Sequence, residues 1–125
     1  MKTYGLIGRK LGHSFSKSFF TEKFEQENLG SCEYLNFELE NISEFPGLFN
    51  LGKDICGLNC TIPYKQDIID YLDEIDREAA LIGAVNTVKI INKQDKRILK
   101  GYNTDVFGFE HSLRPMLKEK HRKAL

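Results

Sequence analysis

The stretch Asp54-Ile55-Cys56-Gly57-Leu58-Asn59-Cys60-Thr61-Ile62-Pro63-Tyr64-Lys65 decides how the rest of the chain is read. Asp54 to Cys60 reads as a strand, and Thr61-Ile62-Pro63 ends it. Proline suits a first helical position, so a short helix is expected over Tyr64 to Tyr71. A strand that runs through a polar turn into a helix is the building unit of an α/β sheet. Working outward, the same alternation recurs. Tyr4 to Gly8 is a short apolar strand closed by glycine. Ser16 can cap a helix running to about Leu29, with Phe20 and Phe24 on one face and Gly30 as its stop. Cys32 to Leu39 alternates polar and apolar residues as a second strand. Asn41 to Leu51 reads as a short helix opened near Pro46 and Gly47.

Downstream, Asp73 can cap a helix with Ile75, Ala79 and Leu81 inside and Gly83 after it. Thr87 to Ile91 and Arg97 to Tyr102 read as a β-hairpin around Lys93-Gln94-Asp95-Lys96. Asn103 or Thr104 caps a last helix carrying Val106, Phe109, Leu113 and Leu117 at helical spacing, ended or kinked at Pro115. The expected fold is α/β: a mixed, mostly parallel sheet with helices on both faces and one hairpin.

Bulk properties narrow the function classes. The chain has 125 residues, enough for a single core, and its 18 basic side chains equal its 18 acidic ones. Zero formal charge gives no electrostatic reason to seek nucleic acid or an anionic membrane. A small molecule or another protein is the expected partner. The N-terminal apolar run is short and meets charge at Arg9 and Lys10, so it reads as neither a secretory segment nor a membrane span. Three cysteines with no signal segment argue for reduced thiols in the cytoplasm. Cys56 and Cys60 share one strand face at period two and read as core. They lack CxxC spacing, and His13, His111 and His121 have no ligand cluster around them, so no metal is expected.

In open α/β sheets, ligands sit beyond the carboxyl ends of the strands. Four polar clusters fall at such places: Gly12-His13-Ser14-Phe15-Ser16, Asn59 to Lys65, Gly83-Ala84-Val85-Asn86-Thr87, and Gly101-Tyr102-Asn103-Thr104-Asp105. Together and in this order they resemble shikimate dehydrogenase over essentially the whole chain. The first carries His-Ser-x-Ser, with Lys17 where the family has proline. The second matches Asn-Val-Thr-x-Pro-x-Lys, with Cys60 for the valine. The third matches Gly-Ala-Val-Asn-Thr in full. The fourth matches Gly-x-Asn-Thr-Asp, followed by Gly108.

The resemblance implies roles position by position. Ser14 and Ser16 bind the substrate carboxylate; hydroxyls at a helix start suit an anion. Read by itself, Ser16 is more readily an N-cap, and the Ser-x-Ser spacing within the full motif reverses that preference. Lys65 is the catalytic lysine, moving a proton to or from the reacting oxygen, and Asp105 is its partner. Thr61 and Asn86 bind hydroxyls, and Asn86 offers both a donor and an acceptor. Asn59 contacts substrate or only pins its loop. The implied reaction reduces 3-dehydroshikimate to shikimate with NADPH, in the pathway to chorismate and the aromatic amino acids. A homodimer stays open.

Residues 1–125 then correspond to the substrate-binding catalytic domain. The glycines at 5, 8 and 12 are badly spaced for G-x-G-x-x-G, so no dinucleotide loop is read here. Ala124-Leu125 reads as the first step into a further strand. A Rossmann domain holding NADP(H) is therefore expected after residue 125, and the chain alone is expected to be inactive. A stand-alone binding module for a polyhydroxy acid is the competing reading. A purely structural adaptor has no use for four polar clusters on one edge.

Overall fold

The computed structural model describes residues 1–12 and 15–104, with the side chains of Phe15 and Ser16 left out. Six strands form one sheet: β1 (Lys2–Gly8), β2 (Cys32–Glu38), β3 (Asp54–Cys60), β4 (Glu74–Ile75), β5 (Thr87–Lys93) and β6 (Lys96–Tyr102). Their order is β2-β1-β3-β5-β6-β4. The pairings β1–β2, β1–β3 and β4–β6 are parallel, whereas β3–β5 and β5–β6 are antiparallel. The sheet is therefore mixed and mostly parallel, as the alternation of signals predicts. Two α-helices, α1 (Phe15–Gln26) and α2 (Arg77–Ile82), and two 3-10 segments (Ile42–Asn50 and Asp67–Tyr71) connect the strands.

The two faces of the sheet are covered differently. On one face α1 lays Phe20 over Tyr34, with ring centroids 4.8 Å apart and nearly stacked, and Phe24 beside Tyr4 at 5.8 Å. Leu6 and Leu11 complete this small cluster. The opposite face carries the main core, where Ile7, Phe37, Leu58, Val88 and Leu99 meet Phe45 and Leu48 of the first 3-10 segment, Ile68 of the second and Ala79 of α2. Helical elements thus lie on both faces. The hairpin closes through Gln94 and Asp95, whose φ values of +50° and +63° are both left-handed. That pair of positive φ angles is what a two-residue turn matching strand twist requires.

Several local expectations need correction. The helix expected after Pro63 starts later, as a 3-10 segment at Asp67, and the Ile62–Pro63 peptide is cis. Tyr64 is buried instead of opening a helix, and its hydroxyl donates to the carbonyl of Leu39. Asp73 does not cap α2. Its carboxylate accepts the Leu99 N–H at 2.8 Å, and its own N–H donates to the Leu99 carbonyl at 2.9 Å. Asp76 is the cap instead, accepting from the Glu78 N–H. The later start turns Leu81 out to solvent at 77% exposure. Gly83 does end the helix, with φ +78°. Helix α1 already includes Phe15 and Ser16, so Ser16 is not its N-cap residue, and it ends at Gln26, short of Leu29. The helix expected from Asn103 or Thr104 lies outside the described residues beyond Thr104 itself.

Cys56 and Cys60 do not share a face. A bulge shifts the register between Thr3–Ile55 and Tyr4–Gly57, adding one residue at Cys56. The extra residue breaks the period of two. Cys60 points into the main core, while Cys56 lies with Gly57 on the α1 side.

Gly5 is closely packed within the sheet. A Cβ there would lie 2.7 Å from the Leu35 carbonyl oxygen and would press on the Phe37 ring. Since backbone cannot rotate away, Gly5→Ala should destabilise the fold by about 1–3 kcal/mol, measured by urea unfolding.

Candidate functional site

The polar clusters converge because β3 pairs with β1 on one side and β5 on the other. At the end of β3 the Thr61 N–H donates to the Ile7 carbonyl at 2.9 Å, and the Cys60 N–H donates to the Asn86 carbonyl at 2.8 Å. One turn further, the Val85 N–H donates to the Lys65 carbonyl at 2.7 Å. These bonds put Thr61, Lys65 and Asn86 at one edge. Gly8 lets the next loop join them: a Cβ there would meet Leu11 at 2.6 Å and the Thr61 methyl at 2.8 Å. The loop itself is anchored at Leu11, whose N–H donates to the Glu38 carboxylate at 2.9 Å. Its carbonyl accepts from the Asn36 amide at 3.0 Å. The chain leaving Leu11 leads in sequence to Ser14 and Ser16.

Asn86 is the hub. It is buried, at 9% exposure, and its backbone N–H donates to the Tyr102 carbonyl at 3.0 Å. Its side-chain Oδ1 accepts from the Thr104 N–H at 2.9 Å, the Thr104 hydroxyl at 3.1 Å and the Thr87 hydroxyl at 3.0 Å. Asn103 adds a further tie, donating to the Ala84 carbonyl at 3.1 Å. The 84–87 and 102–104 segments are thereby interlocked.

The expected site residues fare differently. Lys65, Thr61 and Asn86 come together at the sheet edge. Asn59 lies on the α1 side, where its Nδ2 donates to the Tyr34 hydroxyl at 2.8 Å, a bond that braces β3 against β2. Ser14 and Asp105 lie outside the described residues, and Ser16 is described only as part of the first turn of α1. The sequence reading missed Thr87, Thr104 and Tyr34. Both threonines stand inside the recognised motifs, next to Asn86 and Asp105, but Thr87 read as the start of a strand and Thr104 as a helix cap. Nothing local says which amide a hydroxyl will find.

A groove of about 560 Å³ opens on the α1 face, lined by Tyr4, Phe24, Cys56, Asn59 and Tyr102 among others. Its walls are largely apolar. Its polar lining includes Asn59, Thr87 and Thr104, so the groove runs up to the polar groups gathered at the strand ends. Among the described residues no cluster of histidine, cysteine and carboxylate groups could hold a metal. No helix of the described residues is long and apolar enough to cross a membrane.

The family model described as the shikimate dehydrogenase substrate binding domain matches residues 6–88. The chain belongs to that family. It is 44% identical over 110 residues to the shikimate dehydrogenase (NADP(+)) of Clostridium beijerinckii, covering 87% of this chain and 39% of that protein. With the Nitrosopumilus maritimus shikimate dehydrogenase (NADP(+)) it shares 40% identity over 90% of this chain and 40% of the relative. Among solved structures, shikimate dehydrogenase 1 from Peptoclostridium difficile superposes with a TM-score of 0.76 at 42% identity, covering 91% of this chain and 41% of that one. A Thermus thermophilus shikimate 5-dehydrogenase in complex with shikimate superposes with a TM-score of 0.75 at 29% identity, over 92% of this chain and 42% of the other. The chain thus spans about two fifths of the length of these relatives. The Clostridium beijerinckii and Nitrosopumilus maritimus relatives are NADP-dependent oxidoreductases, and the α/β fold with its mixed sheet is shared with the solved shikimate dehydrogenases.

Burial at the end of β3 pushes the Cys60 thiol up to about 12, against the opposing pull of the Lys65 positive charge. An unfolded thiol ionises near its ordinary value of 9.0, while the folded one keeps its proton. Above that pH the unfolded state gains by ionising, so stability falls as pH rises toward about 12. Cys60→Val, of similar shape and without a titrating proton, should lose this part of the decline in urea unfolding measured across alkaline pH. In the native protein Cys60 should resist thiol labelling while Cys32, half-buried at the surface, reacts.

Proposed function

We propose that this chain is the substrate-binding and catalytic part of an NADP-dependent shikimate dehydrogenase, acting on shikimate and 3-dehydroshikimate. The observation that carries the reading is the meeting of Thr61, Lys65 and Asn86 at one sheet edge in a chain of this family. A strand end offers converging donors without a hydrophobic lid, which suits a small, charged, hydroxyl-rich ring.

Each residue has a task. Lys65 stands half-buried at the edge and carries the donor capacity to protonate, or to steady, an oxygen at a reacting carbon. Asp105 is assigned as its partner, holding the ammonium in place and accepting a hydrogen bond from the adjacent hydroxyl. Ser14 and Ser16 are assigned to the substrate carboxylate, at the start of α1, where the helix dipole favours an anion. Thr61 and Asn86 bind ring hydroxyls, and Asn59 acts through the brace it forms with Tyr34.

The sequence carries no G-x-G-x-x-G loop. Among the described residues the turn from β1 into α1 carries Gly8 and Gly12, without the glycine spacing that lets a backbone close on a pyrophosphate. The nucleotide-binding half is therefore assigned to residues beyond this chain. This chain's share of the work is to bind, orient and move a proton. The reading also assigns the protein to the cytoplasm and to the route toward chorismate and aromatic amino acids.

The chain joined to a nucleotide-binding half should oxidise shikimate with NADP, and the chain alone should not. In the joined protein Lys65→Ala should lower kcat by at least ~10²-fold, with a smaller effect on KM because the carboxylate anchors remain. Near-normal turnover by that variant would remove Lys65 from the chemistry. Ser14→Ala should instead act on KM, by about 1.5–3 kcal/mol for one lost hydrogen bond to a charged carboxylate.

A further inference from the structure

We infer that Thr104 and Thr87 are positioning residues that fix the side-chain amide of Asn86 so that it meets a ligand only as a hydrogen-bond donor. The inference deepens the proposed function and rests on it for the identity of the ligand.

Oxygen and nitrogen of an asparagine amide are alike in size, and their assignment follows from the bonds they make. Here one partner allows a single answer. The Thr104 backbone N–H, 2.9 Å away, can only donate, so the atom facing it must be the carbonyl Oδ1. That oxygen has two lone pairs and faces three donors, the other two being the Thr104 hydroxyl at 3.1 Å and the Thr87 hydroxyl at 3.0 Å. Its accepting capacity is used up inside the protein. The two hydroxyls stand 3.5 Å from each other, so they flank the same oxygen.

The nitrogen is left on the other side. Asn86 Nδ2 makes no hydrogen bond among the described residues, and it is not among their fully buried unpartnered atoms. It therefore reaches solvent with both protons available, although the residue as a whole is buried. The sequence reading gave Asn86 both a donor and an acceptor to offer to ligand hydroxyls. The structure removes the acceptor. A ligand oxygen that faces Asn86 must accept, leaving its own proton for another group. The same three bonds tie the first residue of β5 to the residue before Asp105, so the orientation of the amide and the exit of the chain toward Asp105 are set together.

The test uses side-chain amide NMR of this chain without ligand, with the Asn86 signal assigned by its loss in Asn86→Asp. Thr104→Val should lower the order parameter of the Asn86 side-chain nitrogen, Thr104→Ser should restore it, and Thr87→Val should lower it independently. Thr87→Val also serves if Thr104→Val does not fold. An order parameter unchanged in both valine variants overturns the inference. A second arm titrates shikimate. Asn86→Asp keeps the acceptor that holds Thr104 and Thr87 but has no protons to donate, so its melting temperature should hold. Its shikimate affinity should fall by about tenfold or more, the size of one lost hydrogen bond. Wild-type affinity in Asn86→Asp overturns the donor assignment. Absence of any shikimate response in the wild type overturns the ligand named under the proposed function, while the order parameters still decide whether Thr104 and Thr87 hold the amide.

Discussion

The structure depends on the double pairing of β3. Its left neighbour β1 runs parallel and its right neighbour β5 antiparallel, so two different chain directions bring their ends to the same edge. Parallel pairing delivers the carboxyl ends of β1 and β3 together. Antiparallel pairing delivers the amino end of β5, and with it the loop from Gly83 to Asn86. A purely parallel sheet would place a strand's carboxyl end there instead, with a crossover to bring the chain back. The mixed topology is what allows residues 61, 65 and 86 to be neighbours through backbone hydrogen bonds alone. Side chains then only refine a placement that the ladder has already made.

How far this was legible in the sequence differs by element. β3 and the hairpin were readable because each is bounded by residues with a steric reason to stop a strand: the proline after Ile62, and a polar four-residue run whose middle pair accepts positive φ. The packing of Phe20 and Phe24 followed from helical spacing alone. What failed were choices among equivalent local options. Asp73 and Asp76 are both competent caps, and the backbone of Leu99, 26 positions beyond Asp73 on another strand, decided between them. The bulge at Cys56 leaves no mark in composition, yet it separates the two cysteines onto opposite faces. The candidate site residues could be named from motif order. The hydrogen-bond polarity of Asn86 could not, since it arises from three donors that belong to two separate segments.

The apolar core bears directly on the chemistry at the edge. Leu58, Cys60 and Val88 lie beneath the strand ends and exclude water from that side. The raised thiol of Cys60 reports how poorly that floor solvates a negative charge. The same floor has the opposite consequence for a pair of opposite charges. With solvent on one side only, the attraction between Lys65 and an anionic partner is screened less than it would be at an open surface. Cys60, with its thiol pushed up to about 12, stays neutral and adds no negative charge beside Lys65. The apolar floor beneath the strand ends is thus not a passive filler. It keeps water from one side of the strand ends, and a thiol serves as well as a branched alkyl group there so long as it remains protonated.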